Sequence, residues 1–202
     1  MTQGITEAQE RALALIAPVV APSTYLAGGV AVALRLGHRL SLDLDLFEPG
    51  ADPADLADAF AQRGGVRITG RSPGTLHLEV LGVPASVLRY GYADVAPHEF
   101  VPGLPVPVAS IEDLSCMKLS AIAGRGAAKD FWDLHAMLTA RGESLAVALA
   151  RFQKKYSAED VGHVVRSLAY FADAEAGPMP AGLTTQHWQR VRADIEGWVR
   201  GL

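Results

Sequence analysis

Residues 40–47 read LSLDLDLF, and this strict alternation limits the backbone more than any other stretch of the 202-residue chain. A period of two puts Leu40, Leu42, Leu44 and Leu46 on one face of a strand and Ser41, Asp43, Asp45 and Phe47 on the other. The leucine face demands a core to cover it. The opposite face then carries two carboxylates with about 6–7 Å between their Cβ atoms, from the rise of a strand. Like charges this close repel unless water or a cation screens them. Such a strand is either a solvated edge or a cation site.

The flanking pattern sets that strand in a small α+β fold. Residues 5–17 predict an amphipathic helix ended near Pro18, and STYLA (23–27) a short strand. GGVAVALRLG then opens a helix with two glycines and closes it at Gly37. A helix is expected over about 53–63, with Pro53 at its start. From 65 to 90 the runs GVRITG, GTLHLEVLG and VPASVLRY read as strands, with Gly82 suiting a hairpin. In the middle run Leu76, Leu78 and Val80 alternate with His77 and Glu79. A proline-rich loop over 91–109 ends the β region, and helices are expected at 111–124, 127–140, 144–153, 158–173 and 184–200. The expected division is a mixed sheet with flanking helices over 1–109 and an all-helical region over 110–202.

Composition narrows the classes of function. Half the residues are hydrophobic, a fifth are charged and the formal net charge is −4, as in a globular protein with a real core. An acidic balance argues against a nucleic-acid coating protein and leaves room only for a local basic groove. The residues for one are Arg151, Lys154 and Lys155, with Arg141 and Arg166 near them in sequence. The single cysteine, Cys116, allows no internal disulfide and reads as a small buried hydrophobe. The first twenty residues do not resemble a signal peptide, and no apolar run is long enough to span a membrane. The expected setting is the cytoplasm, with no membrane partner.

Two features carry chemistry. Gly28-Gly29, between a strand and a helix, lets a ligand approach the backbone, where free amides of the helix N-terminus can hold a phosphate. Asp43 and Asp45, where they are not simply a solvated edge, can supply oxygens from one strand face for Mg²⁺, a hard cation that keeps waters and binds substrate phosphates. Further on, Lys118 and Arg125 are seven residues apart on one helix face, placed to aim two cations at one anion.

The ordered set of strand, Gly-Gly, helix and S-x-D-x-D resembles the nucleotidyltransferase fold family. More narrowly, LAGGVAVALRLGHRLSLDLDLF resembles the AbiEii/AbiGii toxin family of nucleotidyltransferases, and the resemblance continues in KLSAIAGRGAAKDFWDLHAML (118–138) and YFADAEAGPMP (170–180). It implies that Asp43 and Asp45 hold Mg²⁺ or Mn²⁺, and that Ser41 and the Gly28-Gly29 turn contact the triphosphate of an NTP substrate. Lys118 would face the phosphates, with Arg125 beside it and Arg39 within reach of a phosphate. Asp130 or Asp133 would supply a later essential carboxylate. Relatives of this fold commonly carry a third carboxylate on a later strand. The matching position here holds Ser86, and Glu79 on the neighbouring strand is the substitute to consider.

The activity implied is transfer of a nucleoside monophosphate from an NTP to an acceptor. A transfer RNA or other RNA is one such acceptor, and the setting is a toxin–antitoxin or phage-defence pair with a cognate antitoxin protein. Two alternatives stand beside it. One is a catalytically silent nucleotide-binding or protein-interaction module; the other is an enzyme that nucleotidylates a small molecule of the aminoglycoside kind.

Overall fold

The computed structural model describes residues 4–202. The chain divides into two compact units, Met1–Tyr92 with Pro97–Ser110 and Ala93–Ala96 with Ile111–Leu202.

The first unit is built on a five-stranded mixed sheet. Its strands are β1 (Tyr25–Ala27), β2 (Leu44–Glu48), β3 (Val66–Ser72), β4 (Thr75–Val80) and β5 (Val83–Arg89), in the order β1-β2-β5-β4-β3. β2 and β5 are parallel and every other pair is antiparallel. Helices α1 (Glu7–Ile16), α2 (Gly28–Leu36) and α3 (Ala57–Ala61) pack against the strands. The buried face of the sheet carries Leu44, Leu46, Leu76, Leu78, Ala85 and Val87. The period-two pattern of the sequence dictates that face, and each fully buried leucine contributes about 1.5–3 kcal/mol.

The leucine alternation is cut short. β2 begins only at Leu44, whereas Leu40 and Leu42 are 68% and 74% exposed. The reason lies in the neighbours. β1 ends at Ala27, the partner of Asp45, because α2 starts at Gly28, so no strand flanks Ser41–Asp43 on that side. A different anchor holds this segment. Gln9, on the inner face of α1 and 3% exposed, donates from Nε2 to the carbonyls of Ser41 (2.8 Å) and Leu42 (3.1 Å). Its Oε1 accepts from the Thr6 backbone N–H at 3.0 Å, closing the capping box that starts α1.

Two expected helices also differ. The helix expected over 53–63 is a 3₁₀ turn, Pro53–Leu56, capped by Asp52 and followed by the short α3. The helix expected over 158–173 is two, α7 (Gly162–Leu168) and α8 (Ala172–Ala176), which number after α4 (Ile111–Gly124), α5 (Ala128–Arg141) and α6 (Leu145–Tyr156).

These helices and α9 (Thr185–Arg200) form the second unit around Phe131, Phe171 and Trp188, whose ring centroids lie 5.1–6.0 Å apart. Trp132, Leu134 and Leu138 join the same core, as their helical spacing requires. Cys116 is fully buried there, and burial, reinforced by the nearby Asp113 charge, pushes its thiol up to about 12.

The basic cluster that left room for a local groove is largely neutralised. Arg151 makes a two-point ion pair with Glu143 (2.8 and 2.6 Å), and Arg141 pairs with Glu112. Lys155 is buried against Asp113 at 2.7 Å and donates to the Ala93 carbonyl, while Asp113 also accepts from the amides of Val95 and Ala96. Of the five cations, Lys154, Arg166 and the ion-paired Arg141 are exposed. An amphipathic helix cannot reveal from sequence alone which of its cations find a carboxylate on the next helix. Among the described residues no helix is long and apolar enough to cross a membrane.

Candidate active site

In the first unit the chain passes from β1 into α2 with no loop between them. Ala27, the last residue of β1, is the register partner of Asp45. The Asp45 carboxylate therefore stands directly against the first turn of α2. A Cβ built on Gly28 would lie 2.2 Å from Asp45 Oδ2, and Gly28 adopts φ +64°. Space and backbone both require glycine there. A Cβ on Gly29 would lie 2.3 Å from Ser41 Oγ and 2.8 Å from an Arg39 guanidinium nitrogen. The two glycines thus bring Asp45, Ser41 and Arg39 onto the N-terminal turn of a helix. The amides of a helix's first turn and its positive dipole end favour an anion.

Arg39 is buried and donates from Nη1 to the Leu40 carbonyl at 3.0 Å, which fixes its stem beside the turn. Asp43 lies one residue before β2, exposed, in the segment that Gln9 holds. Glu48, the third carboxylate on this stretch, is on the opposite, buried face. Burial pushes its carboxyl up, but hydrogen bonds from Thr24 and from the Gly50 and Ala51 amides outweigh that and hold it below the usual range. It closes a turn and has no part in the site.

One row of residues crosses the open face of the sheet. Asp45 on β2 is the partner of Ser86 on β5, Ser86 of His77 on β4, and His77 of Gly70 on β3. Ser86, the residue at the expected third-carboxylate position, is thus the strand neighbour of Asp45. Its hydroxyl hydrogen-bonds His77 Nδ1 at 3.0 Å. Glu79 belongs to another row, opposite Pro84 and Arg67, and its carboxylate pairs with Arg67 at 2.8 Å in an exposed ion pair.

The second unit gathers the remaining predicted residues. Lys118 Nζ lies 3.0 Å from Asp130 Oδ1 and 2.7 Å from Asp133 Oδ2, with Lys118 6% exposed and both aspartates fully buried. Arg125 donates twice to Asp130, each time at 2.8 Å. The seven-residue spacing does aim two cations at one anion, and in this structure that anion is Asp130. Burial pushes the Asp130 carboxyl up, but Arg125 and Lys118 outweigh it and hold the group below the usual aspartate range. A buried lysine between two carboxylates is well satisfied, and losing any partner would strand charge.

Among the described residues no group of three or more His, Cys, Asp or Glu side chains could hold a metal by itself. Two aspartates still suit Mg²⁺, which binds through one or two carboxylates, substrate phosphates and retained waters. Sequence reasoning missed Gln9 and the pairing of His77 with Ser86. Thr6-x-x-Gln9 was visible as a capping box, and a two-residue hairpin at Leu81-Gly82 was enough to align residues 77 and 86.

The family model for the nucleotidyl transferase AbiEii toxin, Type IV TA system, matches residues 52–198. The match takes in Lys118, Arg125, Asp130 and Asp133 and begins after the Gly28–Asp45 stretch. An uncharacterised protein of Aquifex aeolicus (strain VF5) is 36% identical over 153 residues, which cover 74% of each chain. Among solved structures, the nucleotidyltransferase toxin MenT4 from Mycobacterium tuberculosis H37Rv superposes with a TM-score of 0.67 at 20% identity. That superposition covers 96% of this chain and 82% of that one. ANT(2″)-Ia in complex with adenylyl-2″-tobramycin superposes with a TM-score of 0.55 at 20% identity, covering 73% of this chain and 98% of that one. These likenesses show a shared nucleotidyltransferase fold. Matched over most of its length, the chain belongs to the AbiEii nucleotidyl transferase toxin family and is by class a nucleotidyltransferase.

Proposed function

We propose that the chain transfers a nucleoside monophosphate from an NTP to an acceptor hydroxyl with Mg²⁺ or Mn²⁺, releasing pyrophosphate. One observation carries the reading: Gly28 and Gly29 leave room, by less than one methyl group, for Asp45, Ser41 and Arg39 around the first turn of α2. In this reading the turn amides, the Ser41 hydroxyl and the Arg39 guanidinium bind the triphosphate oxygens, and Asp43 and Asp45 hold the metal. The ion supplies charge neutralisation at the phosphate oxygens when bound. Positioning and charge neutralisation are what phosphoryl-type transfer chiefly needs.

The roles implied for Lys118 and Arg125 at the nucleotide, and for Asp130 or Asp133 as the later carboxylate, belong to the same proposal. Their support is the match of the family model across these residues and the convergence of four charges on one buried point. The helical region over 110–202 would then complete the active site and take part in acceptor binding. We further propose an RNA acceptor such as a transfer RNA, a cognate antitoxin protein as partner, and the cytoplasm as setting, where NTPs and transfer RNA are available. The family description supports the toxin–antitoxin part.

Incubation with each labelled NTP, Mg²⁺ and total RNA is expected to label RNA and release pyrophosphate. Full activity of Asp43→Ala would overturn the assignment. The fold shared with ANT(2″)-Ia favours a second reading, transfer to an aminoglycoside. Labelling of tobramycin in place of RNA would select it.

A further inference from the structure

If an acceptor hydroxyl attacks an α-phosphorus bound beside Asp45, its proton must go to a base, and the strand neighbour of Asp45 is Ser86. A serine hydroxyl is a poor proton acceptor unless a base stands behind it. One stands there. His77, on the next strand, is exposed and meets Ser86 Oγ through Nδ1 at 3.0 Å. The position of its ring is fixed on the far side as well. Ile68 pairs with Leu78 and Gly70 with His77, so Thr69 is an extra residue that bulges β3 at this point. A Cβ on Gly70 would lie 3.2 Å from His77 Cδ2, so the ring lies close over the glycine. Asp45, Ser86, His77 and Gly70 then form one line across four strands about 4.8 Å apart.

We propose that Ser86 and His77 are the proton-accepting pair for the acceptor hydroxyl, standing beside Asp45 in one row of the sheet. The inference rests on the nucleotidyltransferase reading of Asp43 and Asp45. With His77 as the Nε2–H tautomer, Ser86 Oγ donates to Nδ1. The acceptor oxygen attacks the α-phosphorus and forms the new O–P bond. The bond from the α-phosphorus to the bridging oxygen breaks, and pyrophosphate leaves with the electron pair. The acceptor proton moves to Ser86 Oγ as the Ser86 proton moves to His77 Nδ1, and the imidazolium later loses its proton to water.

The test measures pyrophosphate release and RNA labelling with the four NTPs, Mg²⁺ and total RNA, and NTP binding separately. His77→Gln keeps a hydrogen-bonding side chain but cannot take a proton. It is expected to bind NTP as the unsubstituted chain does and to lose transfer by about 100-fold or more, the range of a general base. Ser86→Asp is expected to make transfer independent of His77, so that the Ser86→Asp/His77→Gln double variant recovers activity. Undiminished transfer by His77→Gln, alongside loss in Asp43→Ala, would overturn this inference and leave the nucleotidyltransferase reading standing. No transfer by the unsubstituted chain, or an active Asp43→Ala, would overturn both.

Discussion

Gly28→Ala separates the stability of the fold from the integrity of the site. Two costs arise in the folded state. The φ of +64° puts an L residue in the left-handed region, at about 1–2 kcal/mol. The new methyl would also lie 2.2 Å from Asp45 Oδ2 and 2.9 Å from Asp45 Cβ and Cγ, where ordinary contact needs about 3.5–4.0 Å. The carboxylate must swing away by more than an ångström, a forced repacking worth about a further 1–3 kcal/mol. The sum, roughly 2–5 kcal/mol, lowers Tm by about 4–20 °C for a chain of this size. Gly82→Ala is the internal control. Gly82 has φ +82° with nothing within 4 Å of a built Cβ, so this variant incurs the strain without the collision. Thermal melts should therefore rank Gly28→Ala below Gly82→Ala, and pyrophosphate release should fall only in Gly28→Ala. Unaltered catalysis in a folded Gly28→Ala would refute the claim that Asp45 acts from the position it holds against this turn.

Other perturbations follow from the same contacts. Gln9→Leu removes the hydrogen bonds to the Ser41 and Leu42 carbonyls, each worth about 0.5–1.5 kcal/mol net; in titrations of folded protein, NTP affinity should drop, because the Ser41–Asp43 segment loses its anchor. Asp130 is held below its unfolded value, so its stabilisation is complete above about pH 4 and is lost as pH falls through the folded value. Asp130→Asn should cost about 1–3 kcal/mol at neutral pH, because Lys118 loses one of its two carboxylates and keeps Asp133, and acid-unfolding curves should show that step flattened. Cys116, fully buried with its thiol pushed up to about 12, should resist a disulfide reagent at pH 8 in the native protein and react at once in denaturant.

Much of this molecule is written in local pattern. The three runs from 66 to 89 become β3, β4 and β5 because alternation and a two-residue turn are local properties, and a sum rule of 163 pairs Val80 with Val83 and His77 with Ser86. The Gly-Gly turn is legible for the same reason, since a helix opening on two glycines asks what needs the space. What the sequence hides depends on partners far along the chain. Leu40 and Leu42 obey the strand pattern, yet they are exposed, because α2 begins one residue after the partner of Asp45 and leaves no neighbour to extend the ladder. Arg151 and Lys155 look like an anion-binding face until Glu143 and Asp113 claim them. The same difference explains the site. Asp45, Ser41 and the glycines sit within twenty residues of one another and can be read together, whereas the parallel register that sets Ser86 beside Asp45 joins positions 41 residues apart across a crossover. Periodicity says which face a residue takes, and only the register says which residues stand in one row. The pair Asp43 and Asp45 therefore points to a candidate site from sequence alone, but the side chains that stand in a row with Asp45 are set by the strands alongside it.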